Sequence, residues 1–304
     1  MKQSYWMKYN ALLHKFSALP LYRMVLRFVR KLGDPYPLHH LGRKPKVSPC
    51  EYAAYIAYML LVKGSTYRQM ESESELYLGK HIDHATFVVN LEKISCEYFL
   101  DLVEETGEYL SHILSYSKDY IIDSTAVSTP LTFITVIKNK EVKEHVEFRG
   151  HALASYHPQE QSICIHKALA TTKRIADCEG AKRMLEQGTI KNITLHADRG
   201  YDYERVYKAC EEQNITPNIR PQAYKGKKDN YRTLGLIHYD DELRKQKRGV
   251  VETIFGGITN AGLMITRLKK DTKIKAYTAI ILLRQNIMTI ARNLATVIEF
   301  LTKL

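Results

Sequence analysis

The sequence predicts an α/β protein in which a mixed β-sheet is flanked by helices and preceded by a basic, helical N-terminal region. Three observations carry that reading. Apolar and polar residues alternate at 161–171 and 193–197, the period-two pattern of strands, and 119–127 reads as a further core strand. Between and after them the spacing becomes helical, at 177–187, 204–210, from 244 onward and over 275–304. The first hundred residues show helical spacing punctuated by capping residues.

Residues 1–46 carry ten Lys or Arg against one acid, Asp34. Leu12, Leu13, Phe16, Leu19, Leu21, Met24, Val25 and Phe28 recur at helical spacing interrupted at Pro20. That is a broken amphipathic helix with a cationic face, on which Arg27 and Arg30 are candidate phosphate contacts. Ser48-Pro49-Cys50-Glu51 reads as an N-cap with proline in the first turn, opening a helix at 51–63 that Gly64 ends. Ser65 and Thr66 cap a second helix, and His84 opens a third that runs through Leu91, Ile94, Phe99 and Val103. Short helices joined by tight turns, with Arg68 near the start of one, resemble a helix-turn-helix unit, a pattern shared by three-helix bundles with no DNA role. Residues 71–108 hold ten acids and only Lys80 and Lys93 as bases, so that stretch is expected to face away from a polyanion.

Further on, 119–127 reads as the first core strand and 131–137 as a second. The charged segment 139–157, which includes Gly150, reads as a loop or hairpin more than as core, and 161–171 as an inner strand. A helix at 177–187 leads to the strand that ends in Asp198, where Gly200 allows a turn. A short strand at 216–221 bounded by prolines precedes a basic loop with Lys225, Lys227 and Lys228. Val250, Val251, Ile254 and Phe255 line one side of the next helix, and the last helix presents an apolar face to the sheet. The division expected is a basic arm at 1–47, a helical region at 48–116 and an α/β domain at 117–304.

The formal net charge of +12 points to a polyanionic partner, nucleic acid above all. Apolar runs fall well short of the roughly 20 residues a membrane-spanning helix needs, so no membrane role is expected. Five scattered cysteines without a C-x-x-C suit a reducing cytoplasm, not a cysteine zinc site or a disulfide framework.

Asp123 and Asp198 close two apolar strands, and Glu252 sits in a helix one turn after Arg248. Two such aspartates and a helix-borne glutamate can hold divalent metal. Cleaving a phosphodiester requires an activated water and neutralised charge, which two Mg²⁺ ions about 3.5–4 Å apart supply. Magnesium prefers carboxylate and water ligands, and Mn²⁺ is an alternative. Each residue also has a plain structural reading. Asp123 could cap a turn through Ser124 and Thr125, Asp202 competes with Asp198, and Glu252 could simply pair with Arg248.

Four stretches resemble the DDE transposases of bacterial and archaeal insertion sequences. Ile122-Asp123-Ser124-Thr125 is similar to that family's first-aspartate strand, and Ala197-Asp198-Arg199-Gly200-Tyr201-Asp202 to its A-D-[KR]-G-Y-D motif. Arg248-x-x-x-Glu252 with Phe255-Gly256 resembles the glutamate helix. Gly64-Ser65-Thr66-Tyr67-Arg68-Gln69 with Ala85-Thr86-Phe87 resembles the helical N-terminal region. Lys245 and Thr259 stand where the extended glutamate signature has tyrosine and lysine. The resemblance implies an RNase H-like catalytic domain without the large β-strand insertion. It also implies Asp123, Asp198 and Glu252 as catalytic metal ligands, a homodimer on double-stranded DNA, and transfer of a 3′-hydroxyl into target DNA. Arg248 is then a phosphate clamp, with Arg199, Lys225, Lys227 and Lys228 as flanking contacts. Two other functions use the same residues: an RNase H-like nuclease or resolvase without strand transfer, and a transposase-derived DNA-binding protein that no longer cuts.

Overall fold

Helices come first in the chain, then a five-stranded sheet, then two long helices that pack back onto both. The structure, a computed structural model, describes residues 18–38, 44–137, 140–172, 175–222 and 230–301; the side chains of 18, 130–146, 248, 251, 252 and 295–301 lie outside that description.

Helix α1 (Ala18–Leu32) includes Pro20, so the described chain is helical through the position where an interruption is expected. The first half of the expected basic helix lies outside the described residues. Helix α2 (Pro49–Lys63) opens with a full capping box, Ser48 accepting from the Glu51 N–H while Glu51 accepts from the Ser48 N–H, and closes on left-handed Gly64. Apart from its two ends it is buried on every side. Thr66 and Gln69 make a second capping box for α3 (Tyr67–Leu78), which Gly79 ends. The single helix expected from His84 is two, α4 (His84–Lys93) and α5 (Cys96–Ile113). Ser95 is the reason for the break, because its side chain accepts from the Tyr98 N–H and starts a new helix.

The sheet order is β3-β2-β1-β4-β5, built from β1 (Asp119–Ile137), β2 (Lys140–His157), β3 (Ser162–Thr172), β4 (Thr194–Ala197) and β5 (Thr216–Ile219). The first three strands are antiparallel, while β4 and β5 run parallel to β1. The mixed α/β architecture matches the fold class expected. Three strand readings need correction. The stretches 119–127 and 131–137 form one strand whose pairing lapses between Ser128 and Thr132, around Pro130, which has no N–H to give the ladder. The stretch expected as a loop or hairpin is strand β2, paired antiparallel with β1, and its described side chains from 147 on are mostly buried because their polar groups find partners. His151 bonds the Thr171 hydroxyl at 2.8 Å, and Ser155 sits between His157 and His166 at 2.6 and 2.7 Å.

Strand β3, expected to lie inside the sheet, is its edge, yet it is buried on both faces. An edge strand leaves one row of N–H and C=O groups unpaired. Here α10 (Asp271–Leu301) covers them. Asn286 accepts from the Ile165 N–H at 2.8 Å and donates to the Ile165 carbonyl at 2.8 Å and the Val103 carbonyl at 3.0 Å, while the Thr289 hydroxyl donates to the Ile163 carbonyl at 3.0 Å. Gly107 of α5 lies so close to the Ile165 carbonyl that any side chain there would collide with it. The remaining helices are α6 (Asp177–Glu186), α7 (Glu204–Glu212), α8 (Asn230–Leu236) and α9 (Asp241–Asn260). Helices α6 and α7 bury Cys178, Met184, Val206 and Cys210 against Ile122, Leu195 and Ala197, whereas α9 and α10 share their core with α1 to α5. Among the described residues no helix is long and apolar enough to cross a membrane.

Replacing Asn286 with Ala strands the N–H and C=O of Ile165 away from water. The fold is expected to lose about 2–4 kcal/mol, read from urea unfolding; a loss below about 0.5 kcal/mol would show that the edge does not depend on it.

Candidate active site

Strand register builds the site. Parallel pairing sets Asp119 beside Thr194 and Ile121 beside His196. Two residues further along both chains, the same register brings Asp123 beside Asp198, at the C-terminal end of β4. Alternation puts both on the sheet face shared with Asp119 and His196, the face α9 covers, while Ile122 points into the opposite core. Asp123 lies inside a continuing strand, so the expected alternative of a turn cap at Ser124 and Thr125 does not apply.

The two carboxylates differ in surroundings. Asp198 is exposed and makes no cap bond to the short helical turn that follows it, and Arg244 of α9 lies 3.6 Å away. Asp123 is half-buried, and its Oδ1 accepts from the Ser124 N–H at 2.8 Å. Burial pushes its carboxyl up to about 7; the Ser124 bond opposes this, and the negative charges of Asp198 and Asp177 add to it. A site that concentrates negative charge in this way suits a divalent cation, and the acidic oxygen donors suit Mg²⁺ or Mn²⁺.

Helix α9 crosses this face. At its start Asn218 of β5, the register partner of His196, is bonded to the Asp240 backbone in both directions, at 3.0 and 3.1 Å. At its far end the chain joins β1 again, where the Ser128 N–H donates to the Met264 carbonyl and the Thr266 N–H to the Ser128 carbonyl. These two attachments lie on either side of Asp123 along the strands. Between them Lys247 pairs with Asp119, which also bonds His196 at 3.1 Å. The His196 bond and the Lys247 charge hold the Asp119 carboxyl down at about 2 in spite of burial. Glu252 follows Lys247 by five residues on this helix. The side chains of Glu252 and Arg248 lie outside the described residues.

Asp202 is not free to compete with Asp198. It is buried, takes two bonds from Arg232 at 2.7 and 2.6 Å, and accepts from the Tyr207 hydroxyl and the Gln222 N–H. It therefore ties Tyr207, Gln222 and Arg232 together. Arg199 is exposed in the turn directly after Asp198. Arg68 is exposed on α3, and Arg27 and Arg30 are exposed on α1, which packs on α2 and α5 and not on the aspartates' strands. Lys225, Lys227 and Lys228 lie outside the described residues. The acids Asp101, Glu104, Glu105 and Glu108 of α5 line a cavity of about 610 Å³ with Tyr120 and Ile193, near the N-terminal ends of β1 and β4 and so away from Asp123 and Asp198.

Sequence reading missed the support beneath the pair. Asp177, in the first turn of α6, accepts from the Ser124 hydroxyl at 2.7 Å and from Arg149 of β2 at 2.5 Å, with the buried His151 ring 3.9 Å away. Tyr201, buried in the same place, packs its ring into the core of α6 and α7. Nothing in the local pattern singles out Asp177, because an acid in a first helical turn is ordinary.

A family model described as a transposase DDE domain matches residues 117–290, more than half of the chain. A search of curated proteins finds no match.

A carboxyl raised above its ordinary range stabilises the fold fully below its unfolded value near 3.8 and loses that contribution as pH rises through about 7. In metal-free buffer, Asp123→Asn is therefore expected to raise the thermal midpoint by a few degrees at about pH 8 and by almost nothing at about pH 4. An equal effect at both would contradict the assignment.

Proposed function

Because the chain belongs to the transposase DDE domain family, we propose that it is a DNA transposase in which Asp123, Asp198 and Glu252 together hold divalent metal, Mg²⁺ or Mn²⁺. The reaction proposed is cleavage at the ends of a mobile element, followed by transfer of the exposed 3′-hydroxyl into target DNA. The sheet order and strand directions are those of the RNase H-like fold that such domains share.

One observation carries the reading: β1 and β4 are in register, so two aspartates 75 residues apart in sequence stand side by side at the end of the sheet that opens to solvent. A pair of divalent ions held there supplies charge neutralisation and an activated oxygen nucleophile at a phosphodiester. The chain's own groups do the rest. Asp123, half-buried and propped by the Ser124 N–H, keeps one carboxylate fixed, while exposed Asp198 faces incoming DNA. The ion pairs of Asp119 with Lys247 and of Asp198 with Arg244 fasten the Glu252 helix across the strands. Arg199 lies next to Asp198 and is suited to a phosphate near the cut. Arg27, Arg30 and Arg68 are suited to contacts along the duplex, outside the reacting centre.

The test uses DNA carrying the element's ends. Asp123→Asn, Asp198→Asn and Glu252→Gln are each expected to abolish cleavage and keep DNA binding; full cleavage by Asp198→Asn would remove this site from consideration. With a pre-cut end as substrate, joined product identifies strand transfer, and its absence beside active cleavage identifies a nuclease instead. In the same binding assay, neutralising Arg27 and Arg30 is expected to flatten the salt dependence by about one unit for each phosphate that the protein no longer neutralises.

A further inference from the structure

A second cluster of ligand-type side chains lies in the helical region, at the junction of α3 and α4. Glu71, on the second turn of α3, points one carboxylate oxygen at each of two imidazoles. Its Oε2 is 2.9 Å from His84 Nδ1, and its Oε1 is 3.5 Å from His81 Nε2. Asp83 Oδ2 lies 3.6 Å from the same His84 nitrogen. Ligand atoms of Glu71, Asp83 and His84 all fall within 4.8 Å of one another.

We propose that Glu71, Asp83 and His84, with His81 alongside, form a zinc site that clasps α3 to α4. A tetrahedral ion with bonds near 2.0–2.1 Å holds its ligand atoms roughly 3.3–3.4 Å apart. His84 Nδ1 lies 2.9 Å from Glu71 and 3.6 Å from Asp83, close to that spacing, so side-chain adjustment brings these three onto one ion, with His81, 3.5 Å from the other Glu71 oxygen, alongside. The donor set, imidazole nitrogen mixed with carboxylate, suits Zn²⁺, whereas the oxygen donors of Asp123 and Asp198 suit Mg²⁺. No thiol is involved, in keeping with five cysteines that are all free and buried.

The turn that carries the ligands is already fixed by other bonds. Left-handed Gly79 ends α3, Ser74 Oγ accepts from the Ile82 N–H at 3.0 Å, and Lys46 Nζ donates to the His81 carbonyl at 2.8 Å. Asp83 spends Oδ1 on the Ala85 N–H at 2.8 Å as the cap of α4, and its other oxygen remains for an ion. Backbone order of this kind lowers the entropy an ion must overcome to draw four side chains together. The competing account makes Glu71 an ordinary acceptor for two imidazole N–H groups, without metal.

The experiment uses the full chain carrying Asp123→Asn and Asp198→Asn, so that the aspartate pair does not contribute. Zn²⁺ is titrated by calorimetry and Co²⁺ by visible absorption, at about pH 7.5. Saturable binding of one equivalent is expected, with a Co²⁺ spectrum of four-coordinate type and a raised thermal midpoint on adding Zn²⁺. Glu71→Gln and His84→Ala are each expected to weaken binding at least about tenfold. Asp83→Asn keeps the cap oxygen on α4, so weaker binding in that variant, with unchanged helix content, separates loss of a ligand from loss of the fold. No saturable binding, or binding that all three substitutions leave unchanged, overturns the proposal.

Discussion

The parallel pairing of β1 with β4 is the constraint on which the candidate active site rests. A side chain's facing in a sheet alternates with period two, so a slip of one residue would turn Asp198 to the opposite face while leaving Asp123 where it is. The register is held from both sides. Leu195 and Ala197 are buried with Ile122 against α6 and α7, and on the other face Asp119 grips His196 and Lys247 together. Breaking the pairing would therefore expose apolar surface and also separate a half-buried charge network.

A second constraint is the cover over the sheet. Helix α9 is attached at β5 through Asn218 and at β1 through Ser128, and α10 closes the β3 edge through Asn286 and Thr289. The helical N-terminal half joins the same apolar core, with Tyr55, Phe87, Phe99, Ile254 and Leu282 buried in one cluster. The sheet is thus sealed on both faces, and the C-terminal end of β4 opens to solvent at exposed Asp198 and Arg199.

Much of this was legible in the sequence because it is written locally. Ser48 with Glu51, Thr66 with Gln69, and the Ala197-Asp198 strand end each carry their signal within a few residues. What escaped depends on contacts distant in the chain. Strand β2 read as a loop or hairpin because the segment is charged and carries Gly150, and only β3 and the neighbouring backbone supply partners for His151, Ser155 and His157. Ser95 split a helix whose apolar spacing runs on across the break. Strand β3 looked internal because of the alternation along 161–171, and sequence cannot tell a neighbouring strand from helix side chains that satisfy the same backbone groups. In the site, Asp198 was visible as a strand end, Asp123 was read as one although its strand runs on to Ile137, and Asp177 and Arg149 meet Ser124 only through tertiary packing.

The central claim is that Asp123, Asp198 and Glu252 share metal. Iron-directed cleavage of the protein tests it most directly: Fe²⁺ replaces the native ion, and ascorbate with peroxide then generates radicals that cut the backbone beside the ligands. The account predicts cuts clustered around residues 123, 198 and 252, suppressed together by excess Mg²⁺ and lost in Asp123→Asn. Cuts that avoid the segment around 252, or that persist unchanged without the Asp123 carboxylate, would contradict it.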